Sequence, residues 1–346
     1  MSSACRFLLW AVLGILALNG CGGGGGESGG FFPSSPDYTP SCSGASPAWT
    51  STPDYESVAS CVSQASPGDT INITAGEARW SQRLEMGTKR LSVIGAGIGE
   101  TVITASSDGL GLFDLGTGGS RLAHMTISNP GGAIYVGGGQ GFMIDHLRYL
   151  SPVDASAKAT IVINNNENDI HPTGVIYSNN FENVRIVIYG ARQYYLSAGN
   201  SGNVLWSQTQ PMGSDVNAIF VEGNAFLSNR SIGGNAMDSG PGGRYVFRYN
   251  TITSTSPNSN GGQYIEAHSI QGEIRGTHRW EIYNNVLDNQ GGFTYYPFRL
   301  RGGTGLVANN SILGKWTNYG IALDNVRSYA DYSGTHNGGS GLAYLS

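Results

Sequence analysis

One six-residue pattern recurs along this chain: an apolar residue, two variable positions, Asn, any residue, then a large apolar residue. It appears as Ile176…Asn179-Asn180-Phe181, Val221…Asn224-Ala225-Phe226 and Phe247…Asn250-Thr251-Ile252. It returns as Ile282…Asn285-Val286-Leu287 and Val307…Asn310-Ser311-Ile312. Two weaker copies without the Asn come first, Leu122…Met125-Thr126-Ile127 and Phe142…Asp145-His146-Leu147. The central positions 125, 145, 179, 224, 250, 285 and 310 are separated by 20, 34, 45, 26, 35 and 25 residues. The short intervals suit one coil of a β-solenoid, and the longer ones suit a coil that carries an inserted loop.

A short strand cannot bury its apolar face alone, but coils stacked on one another share a continuous core. The residues three before and two after the central position are apolar in all seven copies, so both columns are expected to point inward. Asn at the centre suits a bend, because its side chain tolerates the left-handed region and bonds nearby backbone. Stacked about 4.8 Å apart, such residues form amide ladders. Helical repeats would need segments with a 3.6-residue period, and none is present.

Composition agrees with a solenoid rich in turns. The chain has 53 Gly and only 12% charged residues, against about 25% in an average protein. Its 39% hydrophobic content is enough for a core, so Gly and Asn mark turns and not disorder. The net charge of −5 and the lack of any Lys/Arg run exclude nucleic acid as a partner class.

The N-terminus sets the compartment. Arg6 precedes an apolar run from Phe7 to Leu18, shorter than the roughly 20 residues that span a bilayer. It reads as the core of a secretory signal. Leu18-Asn19-Gly20-Cys21 resembles the lipobox of bacterial lipoproteins, in which the cysteine carries the lipid. Residues 1–20 are then a signal peptide, 21–40 a Gly-rich tether and 41–346 the β-helix domain. The product is expected to cross the inner membrane and stay membrane-anchored, in the periplasm or at the cell surface, as a monomer. Cys5 leaves with the signal, which leaves Cys42 and Cys61 as one disulfide pair in an oxidising compartment. No CxxC or HExxH spacing occurs, so no metal site is read from motifs.

Pro53–Ala65 reads as an amphipathic helix with Val58, Cys61, Val62 and Ala65 on one face. Pro67-Gly68-Asp69-Thr70-Ile71-Asn72-Ile73, Gly76 to Trp80, Leu91-Ser92-Val93-Ile94-Gly95-Ala96-Gly97 and Thr101-Val102-Ile103 follow. This resembles the capping helix and first coils of the pectin lyase-like superfamily, over roughly residues 50–320. The resemblance implies an all-β, right-handed parallel β-helix with an N-terminal capping α-helix that plugs the core. At the other end Gly338–Ser346 shows no capping helix and no closing apolar coil, so the C-terminal cap is expected to be missing or irregular.

For activity, the resemblance implies carbohydrate chemistry: lyases, some glycoside hydrolases, pectin esterases, and surface proteins without catalysis. The Asn-Thr-Asp, Asp-Asp and Gly-His-Gly motifs of galacturonan hydrolases are absent. Hydrolysis needs two carboxylates facing one bond, and no paired-Asp motif stands out. Phe142-Met143-Ile144-Asp145-His146 is similar to the Trp-Ile-Asp-His segment of pectate lyases, yet Asp145 sits at the repeat's own centre and reads as structural.

The richer polar cluster lies further along. Tyr264-Ile265-Glu266-Ala267-His268 alternates like a strand and places Glu266 and His268 on one face. If the coils stack in register, Asp238, His268 and Arg299 lie near one another, flanked by Arg275 and Arg301. Such a group suits β-elimination from a uronic-acid polymer, with Arg neutralising the carboxylate and His268 as the base. The alternative is a solvated Asp–His–Arg ladder that stitches coils together.

Two residues before the centre stand Tyr177, Glu222, Arg248 and Tyr283, outward by alternation, with Arg279 close by in sequence. Glu222 and Arg248 read as a cross-strand charge pair, and the tyrosines as a stacking surface for sugar rings. Asn164-Asn165-Asn166-Glu167-Asn168-Asp169 offers oxygen ligands of the kind Ca²⁺ takes, but matches no EF-hand spacing and reads first as a polar turn. The expected function is cleavage of an acidic polysaccharide by a lyase. The rival readings are a non-catalytic surface, adhesion or carbohydrate-binding module, and a glycoside hydrolase.

Overall fold

The computed structural model describes residues 41–152, 157–165, 171–191, 218–229, 235–240, 242–255, 263–268, 277–291, 296–316 and 320–323. The expectations about the leader, Cys21, the tether, Arg275, residues 166–169 and Gly338–Ser346 lie outside these residues.

The chain enters through a small antiparallel hairpin, Cys42–Ala45 with Ala48–Ser51, followed by a helix, Tyr55–Gln64. Asp54 starts the helix by accepting the Ser57 backbone N–H at 2.9 Å, as an N-cap carboxylate should. The Lys89 ammonium closes the other end by donating to the carbonyls of Val62 and Ser63 at 2.8 and 2.9 Å. Val58 and Cys61 on its inner face are fully buried, and Cys61 is disulfide-bonded to Cys42. Ala65 follows as the C-cap, so the helix is slightly shorter than the apolar pattern suggests.

The strands fall into three sheets, of eleven, nine and nine strands among the described residues, the opening hairpin supplying two of the eleven. Beyond the hairpin, neighbours within a sheet are three strands apart in chain order, so each coil gives one strand to each sheet. Apart from the opening hairpin, every described strand pair is parallel. This is a parallel β-helix, as the repeat requires. The first sheet holds the strands that lead into the repeat centre, such as Arg244–Arg248 and Arg279–Tyr283. The second holds those that leave it, such as Thr251–Ser254, and the third those such as Met237–Ser239, Gln263–Ala267 and Tyr296–Leu300.

The inward columns form the core. Leu122, Ile176, Val221, Phe247 and Ile282 are at most 1% exposed, and Ile127, Phe181, Phe226, Ile252 and Leu287 are buried on the second sheet. The last described coil departs from this: Val307 is half-buried and Ile312 is 40% exposed. Both were expected inside, but among the described residues no further coil stacks on theirs.

One register in the sequence reading is wrong. Ile144 pairs with Ile176, Asp145 with Tyr177 and Arg148 with Asn180, so Leu147 and not Asp145 is the repeat centre of its coil. Phe142 and Leu147 are still buried, but the inward pair of that coil is Ile144 and Tyr149. Asp145 therefore belongs to the outward column with Tyr177, Glu222, Arg248 and Tyr283. The short apolar alternation of Phe142-Met143-Ile144 fits either register, and only pairing with the next coil decides it.

The bend also differs in detail. The left-handed residue is the one before the centre: His124, His146, Ser178, Gly223, Tyr249, Asn284 and Asn309 have φ between 52° and 65°. The central Asn residues instead form a ladder. The Nδ2 groups of Asn179, Asn224, Asn250 and Asn285 donate to the Oδ1 atom of the next at 2.9, 3.0, 3.1 and 2.9 Å. Each Nδ2 also reaches a carbonyl of the preceding coil, as Asn250 does to Val221 at 2.8 Å. Buried turn backbone is thereby satisfied at every rung.

Candidate functional site

The connection from the first sheet to the second is two residues in each of the seven repeats. Within these repeats the long connections fall at the two edges of the third sheet. Residues 151–158, 229–236 and 255–262 lead into it, and 166–172, 192–218 and 268–278 lead out of it. Binding and catalytic groups concentrate where variable loops border a rigid scaffold. The outer face of the third sheet is the candidate floor.

Charge collects on three consecutive rungs of that face. Met237 pairs with Ile265, which sets Asp238 beside Glu266, and Glu266 pairs with Arg299. The same column holds Val162 and Val187 in earlier coils. His268 lies at the end of its strand and leans back, with Nδ1 3.2 Å from Asp238 Oδ1 and 3.5 Å from Glu266 Oε1. Its backbone is clamped on both sides: His268 N donates to Ser239 O at 2.8 Å, and Thr277 N donates to His268 O at 2.8 Å. The Thr277 hydroxyl donates to Ser239 O at 2.9 Å and lies 2.7 Å from the Ser239 hydroxyl. The imidazole is therefore held by its neighbours and yet its side chain is 24% exposed.

The carboxylates have further partners. Arg185 Nη1 lies 3.9 Å from Asp238, the Asn235 amide donates to Glu266 Oε2 at 2.9 Å, and the Arg301 guanidinium is ion-paired with Glu266 Oε1. Arg301 is only 2% exposed, which corrects its expected place on the shared surface. A guanidinium this buried is tied to its carboxylate partner and cannot face a polymer. Arg299 is half-buried, with its guanidinium 5.9 Å from the Tyr296 ring centroid. Arg279 stands on the first sheet, beside Arg244 in register and 4.0 Å from Glu281, so the third-sheet cluster does not include it. At the same corner His171 and His278 stack at 6.5 Å. Burial first, then the electrostatic effect of Arg244 and His278, pushes His171 down to about 3, so it stays neutral.

The first-sheet column is a bonded row. Arg248 Nε donates to Glu222 Oε2 at 2.6 Å and Nη1 donates to the Tyr283 hydroxyl at 2.9 Å. The Arg248 guanidinium also covers Phe220 and Tyr249 at 5.0 and 5.7 Å. Its affinity for its proton is raised by the Tyr283 and Glu222 contacts, which outweigh burial. Tyr177 is 45% exposed, its ring edge-on to His146 at 5.8 Å.

Arg185, Asn235 and Thr277 escaped the sequence reading. The alternation of Val184-Arg185-Ile186 within an otherwise apolar strand marks Arg185 as outward. Nothing local marks Thr277, which acts from the end of a long connection.

Fold and site together define a parallel β-helix with an acidic–basic cluster on its third sheet. An alginate lyase from Paenibacillus sp. str. FPU-7 has similar architecture at 15% identity, covering 78% of this chain and 99% of that one, with a TM-score of 0.29. The A-module of a mannuronan C-5 epimerase from Azotobacter vinelandii is 13% identical over 73% of this chain and 88% of its own, with a TM-score of 0.27. No protein-family model matches the chain, and no curated protein matches it.

Proposed function

We propose that the protein is an exported lyase that binds an acidic, uronate-containing polysaccharide over its third sheet and cleaves it by β-elimination. The observation that carries the reading is the His268–Asp238 contact at 3.2 Å on a partly exposed imidazole. With Nδ1–H donated to Asp238, the lone pair of Nε2 is left for the substrate. His268 takes the proton next to the uronate carboxylate. The electron pair forms the new double bond, the glycosidic C–O bond at the β carbon breaks, and the departing oxygen takes up a proton from the imidazolium or from water. Arg299, one rung from Glu266, is positioned to neutralise the substrate carboxylate and so stabilise the carbanionic transition state. Asp238 and Glu266 are both committed to basic partners, which suits holding a base better than supplying the protonated acid of a hydrolase.

The test is to incubate the mature chain with a panel of uronate polymers and read the absorbance of the unsaturated product. His268→Ala is expected to lower turnover by about 10²–10⁴ with an unchanged melting curve. Arg299→Ala is expected to raise KM as well, because it removes a charge-assisted contact. Full activity in His268→Ala would remove this base, and saturable binding without any product in the wild type would favour the non-catalytic carbohydrate-binding reading.

A further inference from the structure

The outward column where the first sheet turns into the second carries a second cluster, separate from the third-sheet groove. His124 and His146 hold the left-handed position of adjacent coils, with φ of 57° and 53°. Their rings stack 4.8 Å apart and only 13° from parallel. Asp145 is 2% exposed and is held on one side by Arg121, whose Nε and Nη2 donate to its two oxygens at 2.7 and 2.6 Å. On the other side it meets His146 Nδ1 at 2.9 Å.

We propose that His124 and His146 together hold one divalent transition-metal ion of borderline softness, Cu²⁺, Ni²⁺ or Zn²⁺, with Asp145 orienting His146 from behind. The carboxylate accepts a hydrogen bond from Nδ1–H, so the lone pair of His146 is on Nε2, the nitrogen turned away from Asp145. A metal-bound imidazole commonly donates its other N–H to a carboxylate in this way. Arg121 and Asp145 neutralise each other, and imidazole suits these three ions. One donor atom from each of His124, Asp145 and His146 lies within 4.8 Å of the other two. Two nitrogens on one ion, each about 2.1 Å from it, are at most about 4.2 Å apart, so the two stacked rings close on the metal by tilting toward each other. Water completes the coordination.

The bend itself does not call for histidine. Ser178, Gly223, Tyr249, Asn284 and Asn309 make the same turn in later coils. Two imidazoles on successive rungs, one of them backed by an anchored carboxylate, are the local departure from that column.

The same column supplies the conservative variants. Asn fills it at 284 and 309 with φ of 56° and 52°, so His124→Asn and His146→Asn keep the bend while removing the ligand. Untagged mature chain is titrated with CuCl₂ and NiCl₂ by calorimetry, and the Cu²⁺ form is examined by EPR. The wild type is expected to bind one ion with the nitrogen couplings of two imidazoles. Either His→Asn variant is expected to lose the two-nitrogen signature and saturable binding, while His268→Ala keeps both. Asp145→Asn is expected to weaken affinity by about 10–100-fold; should that variant unfold, the two histidine variants carry the test. A wild type with no stoichiometric binding, or His124→Asn and His146→Asn proteins that bind as tightly as wild type, overturns the site. Loss in one of the two variants only would overturn the paired arrangement.

Discussion

Replacing Asn250 with Ala tests whether the amide ladder holds the solenoid together. Asn250 is 1% exposed. Its Nδ2 donates to Val221 O at 2.8 Å and to Asn285 Oδ1 at 3.1 Å. Its Oδ1 accepts Asn224 N and Asn224 Nδ2, both at 3.0 Å. Alanine removes all four bonds and leaves their partners buried away from bulk solvent. A typical net loss is about 1 kcal/mol per bond, rising to roughly 1–3 for a group left unsatisfied. Some of these partners keep other bonds, since Asn224 Nδ2 also donates to Ile176 O and Glu222 O. We therefore expect a loss of about 3–4 kcal/mol. Asn310→Ala, at the half-buried end of the ladder, should cost about 1 kcal/mol because solvent rehydrates its partners. Urea unfolding of both variants gives the comparison, and amide exchange gives the local reading, with the Asn224 N–H losing protection in Asn250→Ala. Equal costs in the two variants, or a cost below about 1 kcal/mol at Asn250, would refute the reasoning that buried ladder bonds stabilise the stack.

Two further outcomes are expected. Burial raises the Asp54 carboxyl, but hydrogen bonds from Thr52 and Ser57 more than offset it and hold the group below its usual range. A folded pKa below the unfolded value near 3.9 means that the cap's ionic contribution is present above that value and is lost as pH falls through the folded pKa. The gap in melting temperature between wild type and Asp54→Ala should therefore shrink below about pH 4, and a gap unchanged from neutral to strongly acid solution would contradict this. Export with a lipid on Cys21 is the proposed localisation, and Cys21→Ser should abolish lipid labelling and free the protein from membranes. Unchanged partitioning would point to another anchor.

The architecture was readable from the chain because its signal is repeated. Asn179, Asn224, Asn250, Asn285 and Asn310, each with an apolar residue three before and two after, over-determine the stacking, so five coils fall into register without further information. The capping helix was likewise local, written in Val58, Cys61, Val62 and Ala65 on one face. Register failed where the marker was absent. Without an Asn in the coil around Leu147, the sequence pattern points to Asp145 as the centre and hides the Asp145–His146–His124 cluster on the outer face.

Side-chain placement across coils was only half readable. Strand alternation puts Glu266 and His268 on one face whatever the fold, because successive residues point to opposite sides. Whether that face meets Asp238, and whether Arg301 lies on it or beneath it, depends on connections of unequal length between strands. The segment 240–243 and the segment 268–278 join the same two sheets, and no local pattern fixes how each delivers its strand. Stacking brought His268 to 3.2 Å from Asp238 and drew Arg301 inward onto Glu266. Local propensity and periodicity decide the direction in which a side chain points. The partner it meets is decided by long-range packing, since residues tens of positions apart become neighbours only when the coils close on one another.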